Sequence, residues 1–203
     1  MITFVFEKAF DSLSWSFLFK ALKSINLGES FIKWVSALYS NISSCILSNG
    51  FSTQMFEVRR GVRQGDPLSA YLFIIALELL LVKIRSDKDI KGIKVENKEI
   101  KLAAFADDPT TFLRQGVNSF ERLSITLDRF GICSGLKLNA EKTEALWFGS
   151  TYENDEPLHI SIEEVNVAIK ILGVYFTYDC RKKQELNFDA TLTSLSKTLK
   201  GWQ

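Results

Sequence analysis

Residues 104–113 read AFADDPTTFL and place two adjacent acids, Asp107 and Asp108, between two apolar runs. This arrangement favours a β-hairpin whose tip carries the carboxylates. Two aspartates at such a tip have a structural reading, because Asp is favoured in turns and Pro109 follows one naturally. They also have a chemical reading, because Mg²⁺ prefers oxygen ligands and clustered carboxylates can hold such ions around a phosphate. The spacing alone leaves both readings open.

The composition of the chain is that of a folded protein. Its 203 residues are 46% hydrophobic and 12% aromatic, which is enough for a sizeable core and argues against disorder. Lys and Arg total 25 and Asp and Glu total 24, giving a net charge of +1. This balance neither predicts nor forbids a nucleic-acid partner, so any basic surface must be local.

The longest apolar run, YLFIIALELLLV at 71–82, predicts a buried helix. It is shorter than a bilayer span and contains Glu78. The opening residues MITFVFEKAF lack the basic start, long apolar segment and cleavage site of a secretory signal. We therefore expect an intracellular protein, in the cytoplasm or nucleus, that is not secreted and has no transmembrane segment.

The cysteines and the histidine offer no metal or nucleophile motif. Cys45, Cys133 and Cys180 are far apart and odd in number, and His159 is the only histidine. Neither a disulfide scaffold nor a structural zinc site is expected from this pattern. His159 lies in a polar NDEPLH segment and is interpreted as a solvated side chain rather than a catalytic base.

The order of predicted elements is that of an α+β domain with helices packed on an antiparallel sheet. A strand at 2–6 leads into a helix from Leu13 to Ile25, and a second helix covers 31–39. Asn49-Gly50 is a strong hairpin signal, and Asp66 and Pro67 predict the cap and first position of a helix over 67–85. Strands are also predicted at 90–95, 99–106, 159–162 and 169–176, a strand and turn at 137–148, and a helix at 117–131.

An apolar stripe marks the last residues. Its members are spaced four, three, four and three apart, as on one face of a helix: Phe188, Leu192, Leu195, Leu199 and Trp202. No glycine or proline stop follows, so we expect the helix to continue beyond the last residue.

Five motifs occur together in one order. They are FEKAFDSLSW at 6–15, RRGVRQGDPLSAYLF at 59–73, AFADD at 104–108, GLKLNAEKTEALWFG at 135–149 and IKILGVYF at 169–176. Together they resemble a reverse transcriptase of the non-LTR retrotransposon (LINE) class over nearly the whole chain. The resemblance implies a polymerase right hand, with the palm and partial fingers at 1–185 and the start of a thumb helix at 186–203. It also implies that the chain is a fragment of a larger reading frame.

The resemblance assigns the chemistry to the predicted hairpin and one lysine. It implies that Asp107 is a metal-binding acid, Asp108 its companion and Phe105 an aromatic anchor, with two Mg²⁺ ions as cofactors. Lys142 matches the lysine that protonates the leaving pyrophosphate, a task suited to a flexible ammonium. On its own, Lys142 could equally be a solvated lysine in a turn.

The resemblance also implies binding residues. Phe10 matches the aromatic that packs under the sugar and excludes ribonucleotides, and Gln64 and Gly65 shape the nucleotide pocket. Arg63, together with Arg60, is expected to contact phosphate. Leu172 and Gly173 match the primer grip. Without the resemblance, Phe10 would be a core residue, residues 59–67 a loop with a helix cap, and residues 172–174 part of a core strand.

One position departs from the family pattern. Val5 stands where the first palm motif of the family has a metal-binding aspartate, and valine supplies no oxygen ligand. Glu7 lies two residues on, about 6.6 Å along the strand, and Asp11 is predicted to cap the next helix. Neither is expected to replace the missing ligand, so we expect a rate lowered by ~10³ or more. Pro109 also removes a backbone N–H from the hairpin.

Three functional hypotheses follow. The first is an inactive descendant of an RNA-directed DNA polymerase, whose family uses an RNA template, a DNA primer and deoxynucleotides. The second is a non-catalytic module that still binds nucleic acid, with salt-sensitive affinity. The third is an unselected pseudogene product of marginal stability.

Overall fold

The computed structural model describes residues 1–114, 116–148, 163–164 and 168–201 and has the predicted α+β composition. Its α-helices are α1 (Ala9–Ser12), α2 (Trp15–Ser24), α3 (Glu29–Leu38), α4 (Pro67–Ser86), α5 (Gly116–Ser134), α6 (Cys180–Gln184) and α7 (Ala190–Lys200). A 3₁₀ helix covers Ala140–Lys142, and a π-helical turn at Glu185–Asp189 joins α6 to α7. His159, the strand predicted at 159–162 and Trp202 lie outside the described residues.

The strands are short. They are β1 (Ile2–Thr3), β2 (Ser43–Ser44), β3 (Leu47–Ser48), β4 (Phe51–Ser52), β5 (Phe56–Glu57), β6 (Ile93–Val95), β7 (Lys98–Ile100), β8 (Leu102–Phe105), β9 (Asp108–Thr111), β10 (Glu144–Ala145), β11 (Glu163–Glu164), β12 (Ile169–Ile171) and β13 (Val174–Phe176).

A five-stranded sheet with the order β11-β10-β1-β9-β8 forms the floor of the fold. β1 lies at its centre and pairs antiparallel with both β9 and β10, with Ile2 opposite Thr111 and Ala145. The sheet is antiparallel, as predicted, except at one edge, where β11 pairs parallel to β10. The residues between these two strands are numerous enough for the crossover that a parallel pair requires.

β1 is shorter than the strand predicted at 2–6, and Pro109 supplies the physical reason. The Phe4 amide donates to the Pro109 carbonyl at 3.3 Å, but proline has no N–H with which to return the second bond of the pair. Beyond Phe4 the backbone bonds to the segment on its other side. There, the Asn139 amide donates to the Val5 carbonyl and the Glu7 amide to the Lys137 carbonyl, both at 2.8 Å.

α4 is the central helix of the core. Asp66 caps it by accepting a hydrogen bond from the Leu68 amide at 3.0 Å, and Pro67 occupies its first position, as predicted. Its buried side chains are Ser69, Leu72, Phe73, Ala76, Leu77, Leu80, Leu81 and Ile84. By length and composition alone α4 could cross a membrane, but buried core helices have the same character. The intracellular location stays a prediction.

Helices α2 and α5 pack against α4, and the predicted apolar face of α5 contributes Phe120, Leu123 and Phe130 to the core. The hairpin predicted at Asn49-Gly50 is confirmed as β3–β4, and β2–β5 extends it. Residues 43–57 of this double hairpin are all exposed. It projects from the core as an arm between α3 and the loop at 59–66.

Candidate active site

The acids lie where the hairpin prediction puts them. β8 and β9 pair with Phe105 opposite Asp108, so the connection consists of Ala106 and Asp107. Ala106 has a φ of 51°, a left-handed conformation that is uncommon for residues with a side chain and costs about 1 kcal/mol. The tight two-residue connection thus projects Asp107 at the tip and starts β9 with Asp108.

The two carboxylates are adjacent and exposed, but they are not electrostatically equivalent. Burial, followed by repulsion from the neighbouring Asp107 charge, raises the pKa of Asp108 above its usual value. Asp108 forms no salt bridge within the described residues. Phe105, the expected aromatic anchor, is 65% exposed.

Val5 follows the paired part of β1. Thr3 pairs with Thr110, and the Phe4 amide bonds to the Pro109 carbonyl, so an extension of this register by one residue would set Val5 opposite Asp108. Directly opposed residues of an antiparallel pair point to the same face of the sheet. Val5 is half-buried, and its isopropyl group supplies no oxygen ligand.

The described residues do not fit a two-ion site. Among residues 1–114, 116–148, 163–164 and 168–201, no group of three or more His, Cys, Asp or Glu side chains could hold a metal ion. Two neighbouring aspartates offer oxygen ligands on one side only, whereas Mg²⁺ demands near-octahedral geometry. Oxygen donors are present at the hairpin, and Val5 supplies none.

The neighbouring acids of the first motif are placed differently from the prediction. Glu7 is not on the strand face of Val5, because the extended backbone ends at Phe6 and Lys8 turns it with a φ of 43°. Asp11 does not cap the next helix. It lies inside the separate short helix α1, and Ser14 occupies the N-cap position of α2.

Asp11 instead contacts the second motif. Its Oδ1 atom accepts a hydrogen bond from Gln64 Nε2 at 3.3 Å, across 53 residues of sequence. Both side chains are exposed. This contact orients the amide of Gln64, one of the residues predicted for the nucleotide pocket.

Phe10 packs under the same loop. Its ring stacks on Phe73 of α4 with centroids 4.9 Å apart and an angle of 14° between the planes. The Phe10 carbonyl accepts from the Val62 amide at 2.6 Å, and the Leu13 carbonyl accepts from the Gly61 amide at 2.7 Å. Phe10 is half-buried, so both the core interpretation and the one from resemblance are compatible with its position.

Gly61 and Gly65 both have a φ of 87°, which favours glycine. At Gly61 a Cβ would also lie 2.8 Å from the Asp11 carbonyl oxygen, so two backbone segments approach closely there. At Gly65 a Cβ would meet nothing within 4 Å, so that side is open, as expected for a pocket residue. Arg60 and Arg63 are exposed and form no salt bridge within the described residues.

Trp15 also contacts this loop, which the sequence pattern does not predict. Its Nε1 atom donates to the Gly61 carbonyl at 2.7 Å, and its ring packs edge-on against Tyr39 at 5.6 Å. Trp15 thereby ties the start of α2 to the loop that carries Arg63 and Gln64. The only signal in the sequence was its place at the end of the motif FEKAFDSLSW.

The remaining predicted site residues lie on other elements. Lys142 ends the 3₁₀ helix that Asn139 caps, is exposed, and forms no salt bridge within the described residues. Leu172 and Gly173 form the turn between β12 and β13 with φ values of 49° and 86°. Since Leu172 is 58% exposed, the alternative of a core strand is wrong for this turn.

The sequence matches a known protein family. The model for "Reverse transcriptase (RNA-dependent DNA polymerase)" matches residues 1–176, which is most of the chain.

Curated relatives agree with this match. Over 136 residues the chain is 38% identical to the "Retrovirus-related Pol polyprotein from type-2 retrotransposable element R2DM" of Drosophila melanogaster, covering 67% of the chain and 12% of that protein. It is 33% identical over 141 residues to the corresponding protein of a type-1 R2 element of Popillia japonica, covering 69% and 20%. It is 28% identical over 172 residues to the "Transposon TX1 uncharacterized 149 kDa protein" of Xenopus laevis, covering 84% and 13%. The chain thus spans only 12–20% of the length of these relatives.

Proposed function

Because the chain belongs to the reverse transcriptase family and is of the LINE type, we propose that it is a palm region in which nucleotide transfer has been lost. In this proposal residues 1–185 are the palm with part of the fingers, and residues 186–203 begin the thumb helix. The partners are an RNA template, a DNA primer and deoxynucleotides. The division at residue 185 falls within the helical segment that runs from Cys180 to Lys200.

The observation that carries the proposal is the place of Val5. An extension of the register of β1 and β9 by two residues beyond Thr3 would set Val5 opposite Asp108, beside the acid pair of AFADD. The family generally uses divalent metal ions, and such a site needs carboxylates from both strands. Asp107 and Asp108 alone supply one side of it.

The proposed binding residues support a pocket that is formed without a working metal site. Phe10, Gln64 and Gly65 are held together by backbone bonds between residues 10–13 and 61–62 and by the Asp11–Gln64 contact. Arg63 is exposed beside them, in a position suited to a phosphate. We propose that these residues have the same roles as in the family. Lys142 matches the proton donor of the family, and this role requires a working metal site.

The test is primer extension on an RNA template with Mg²⁺, using the chain, Val5→Asp and Asp107→Asn. We expect the chain to incorporate no more nucleotide than Asp107→Asn, since a missing ligand lowers the rate by ~10³ or more. Template-dependent incorporation by the chain above that control would overturn the proposal.

A second measurement does not depend on activity. In a Mn²⁺ titration followed by electron paramagnetic resonance, Val5→Asp should bind the ion more tightly than the unmodified chain. Adding Asp107→Asn to Val5→Asp should remove the gain, because both strands must contribute ligands. Equal Mn²⁺ affinity with and without the Val5 substitution would argue against Val5 as the missing ligand position.

A second candidate function, nucleic-acid binding without synthesis, is favoured by cations that are exposed and form no salt bridge in the part of the chain that the structure describes. Arg60 and Arg63 lie on the loop beside the projecting double hairpin, and further cations cluster after β13. Filter binding should show affinity for RNA or an RNA–DNA hybrid that falls as salt rises. Absence of binding at low salt would exclude this candidate.

A further inference from the structure

The near-neutral total charge of the chain conceals a basic region at 168–201. This segment carries six Lys and Arg against three Asp and Glu, a net charge of +3, while the other residues carry nineteen against twenty-one. Its cations are all exposed: Lys170, Arg181, Lys182, Lys183, Lys197 and Lys200. A local excess of this kind raises the concentration of an anionic partner at one surface.

Three of these cations are consecutive. Arg181, Lys182 and Lys183, the basic turn, open the helical segment after β13 and form no salt bridge within the described part of the chain. The nearby carboxylate of Asp179 is engaged with backbone, since its Oδ1 atom accepts from the Arg181 amide at 2.8 Å and from the Lys182 amide at 3.4 Å. The charged ends of the basic turn therefore remain directed to solvent.

Asn187 joins this turn to the hairpin β12–β13. Its Oδ1 atom accepts from the Tyr175 amide at 2.7 Å, while Nδ2 donates to the Tyr175 carbonyl at 2.9 Å. The side chain thus pairs with both backbone groups of Tyr175, as a neighbouring strand would. Nδ2 also donates to the Lys183 carbonyl at 3.0 Å, within the basic turn.

The local helix geometry is unusual at this point. Asn187 sits in the π-helical turn Glu185–Asp189, and π-turns inside α-helices are rare and often occur at functional sites. Asn187 is half-buried. Tyr175 lies two residues after Gly173, so the contact acts on the strand that leaves the exposed turn at 172–173.

We propose that Asn187 is a positioning residue that fixes the hairpin β12–β13 to the following helix, so that Arg181, Lys182 and Lys183 contact the phosphate backbone of a nucleic-acid duplex beside the turn at 172–173. This inference rests on the proposed function, because it names the contact through which the proposed nucleic-acid partner is held. Contacts of this type are independent of base sequence, since Lys and Arg recognise phosphate rather than base edges. Lys170 is not included, because its ammonium lies 5.0 Å from the centre of the Tyr175 ring.

The contribution of the basic turn to binding is tested with a fluorescein-labelled RNA–DNA hybrid of about 20 base pairs. The hybrid is titrated with the whole chain at several KCl concentrations between about 50 and 200 mM. The variant R181Q/K182Q/K183Q should bind about tenfold more weakly at the lowest salt, and its salt slope should be smaller by about 3, one for each phosphate contact. The control K88Q/K94Q/K98Q removes three exposed cations from the loop after α4 and from the hairpin β6–β7, and should leave the slope closer to that of the unmodified chain.

The positioning role is tested with Asn187→Leu, which keeps the size of the side chain and removes all three hydrogen bonds. It should weaken hybrid binding about fivefold and accelerate amide hydrogen exchange at Tyr175, while the amides of α4 keep their protection and report an intact core. In the R181Q/K182Q/K183Q background it should weaken binding no further, because a residue that acts through the basic turn has no effect once the turn is neutral.

The outcomes separate this inference from the proposed function. If the unmodified chain binds no hybrid at low salt, the proposed nucleic-acid partner and this inference both fail. If it binds and R181Q/K182Q/K183Q binds equally well, only this inference fails. An equal loss from Asn187→Leu in both backgrounds would mean general loosening and would overturn the positioning role. If the triple variant loses binding to phosphatidylserine vesicles but not to the hybrid, the turn belongs to a membrane surface and the inference is wrong.

Discussion

At the scale of single residues, the loop at 59–66 contains both the residues proposed to bind nucleotide and two glycines in a left-handed conformation. Gly61 and Gly65 share a φ of 87°, but only Gly61 is pressed against another backbone segment, at Asp11. The Trp15 Nε1 atom donates to the Gly61 carbonyl, so Gly61 is contacted both by Trp15 and by the backbone of Asp11. The loop of the predicted nucleotide pocket is therefore held by backbone contacts that are possible because Gly61 has no side chain.

The pair of glycines provides a matched experiment. Gly61→Ala should lower the free energy of unfolding by about 3 kcal/mol, because it adds a steric clash to the strain of a left-handed conformation. Gly65→Ala should cost about 1 kcal/mol, because it meets only the conformational strain. Urea denaturation of the two variants checks the difference. Equal costs would mean that the close approach of Gly61 to Asp11 is not maintained in solution.

At the scale of elements, Asp87 joins the end of α4 to α5. Its carboxylate is buried, accepts from Arg122 Nε at 3.0 Å and from the Asp89 amide at 3.0 Å, and lies 3.8 Å from Lys83 Nζ. Burial alone would raise the pKa of Asp87, but the bonds from Asp89 and Arg122 outweigh it and lower the pKa below its usual value. The ionised form therefore stabilises the packing of α4 on α5.

This lowered pKa predicts a dependence of stability on pH. An acid whose pKa is lower in the folded state contributes fully above its unfolded pKa, about 3.9, and loses that contribution as the pH falls through the folded value. As the pH is lowered below about 4, we expect the free energy of unfolding of the chain to decrease more than that of the Asp87→Asn variant.

The Asp87→Asn variant itself should be about 2 kcal/mol less stable at pH 7, since it weakens a buried charged hydrogen bond to Arg122. Urea denaturation at pH 7 and at about pH 3 measures both effects. If the two proteins lose stability in parallel on acidification, Asp87 is not the group responsible.

At the scale of the whole molecule, the chain has a tight core and a loosely attached end. α2, α4 and α5 carry most of the largest fully buried side chains, whereas α6, α7 and the hairpin β12–β13 pack chiefly on one another. Three residues of the predicted apolar stripe, Leu192, Leu195 and Leu199, lie on α7, and all three are exposed. The hypothesis of an unselected pseudogene product predicts marginal stability, and a sharp cooperative melt would weaken it.

This division predicts two levels of protection in amide hydrogen exchange. Amides of α4 should exchange at the rate set by global unfolding, and amides of α7 should exchange much faster by local opening. The variant Leu77→Ala, which removes a fully buried side chain, should cost about 3 kcal/mol and accelerate exchange in α4. The exchange of α7 should be nearly unchanged, and an equal acceleration in both helices would contradict the division.

The sequence by itself determined the family, the hairpin that carries Asp107 and Asp108, the cap and length of α4, and the absence of a carboxylate at position 5. These features are local, because a turn, a cap or an ordered set of motifs is written in consecutive residues. Only the tertiary structure decided that Asp11 bonds to Gln64 rather than capping a helix, and that β11 runs parallel to β10. It also decided the roles of Trp15 and Asn187, which bind backbone groups far along the chain, and contacts between a side chain and a distant backbone leave no periodic pattern in the sequence.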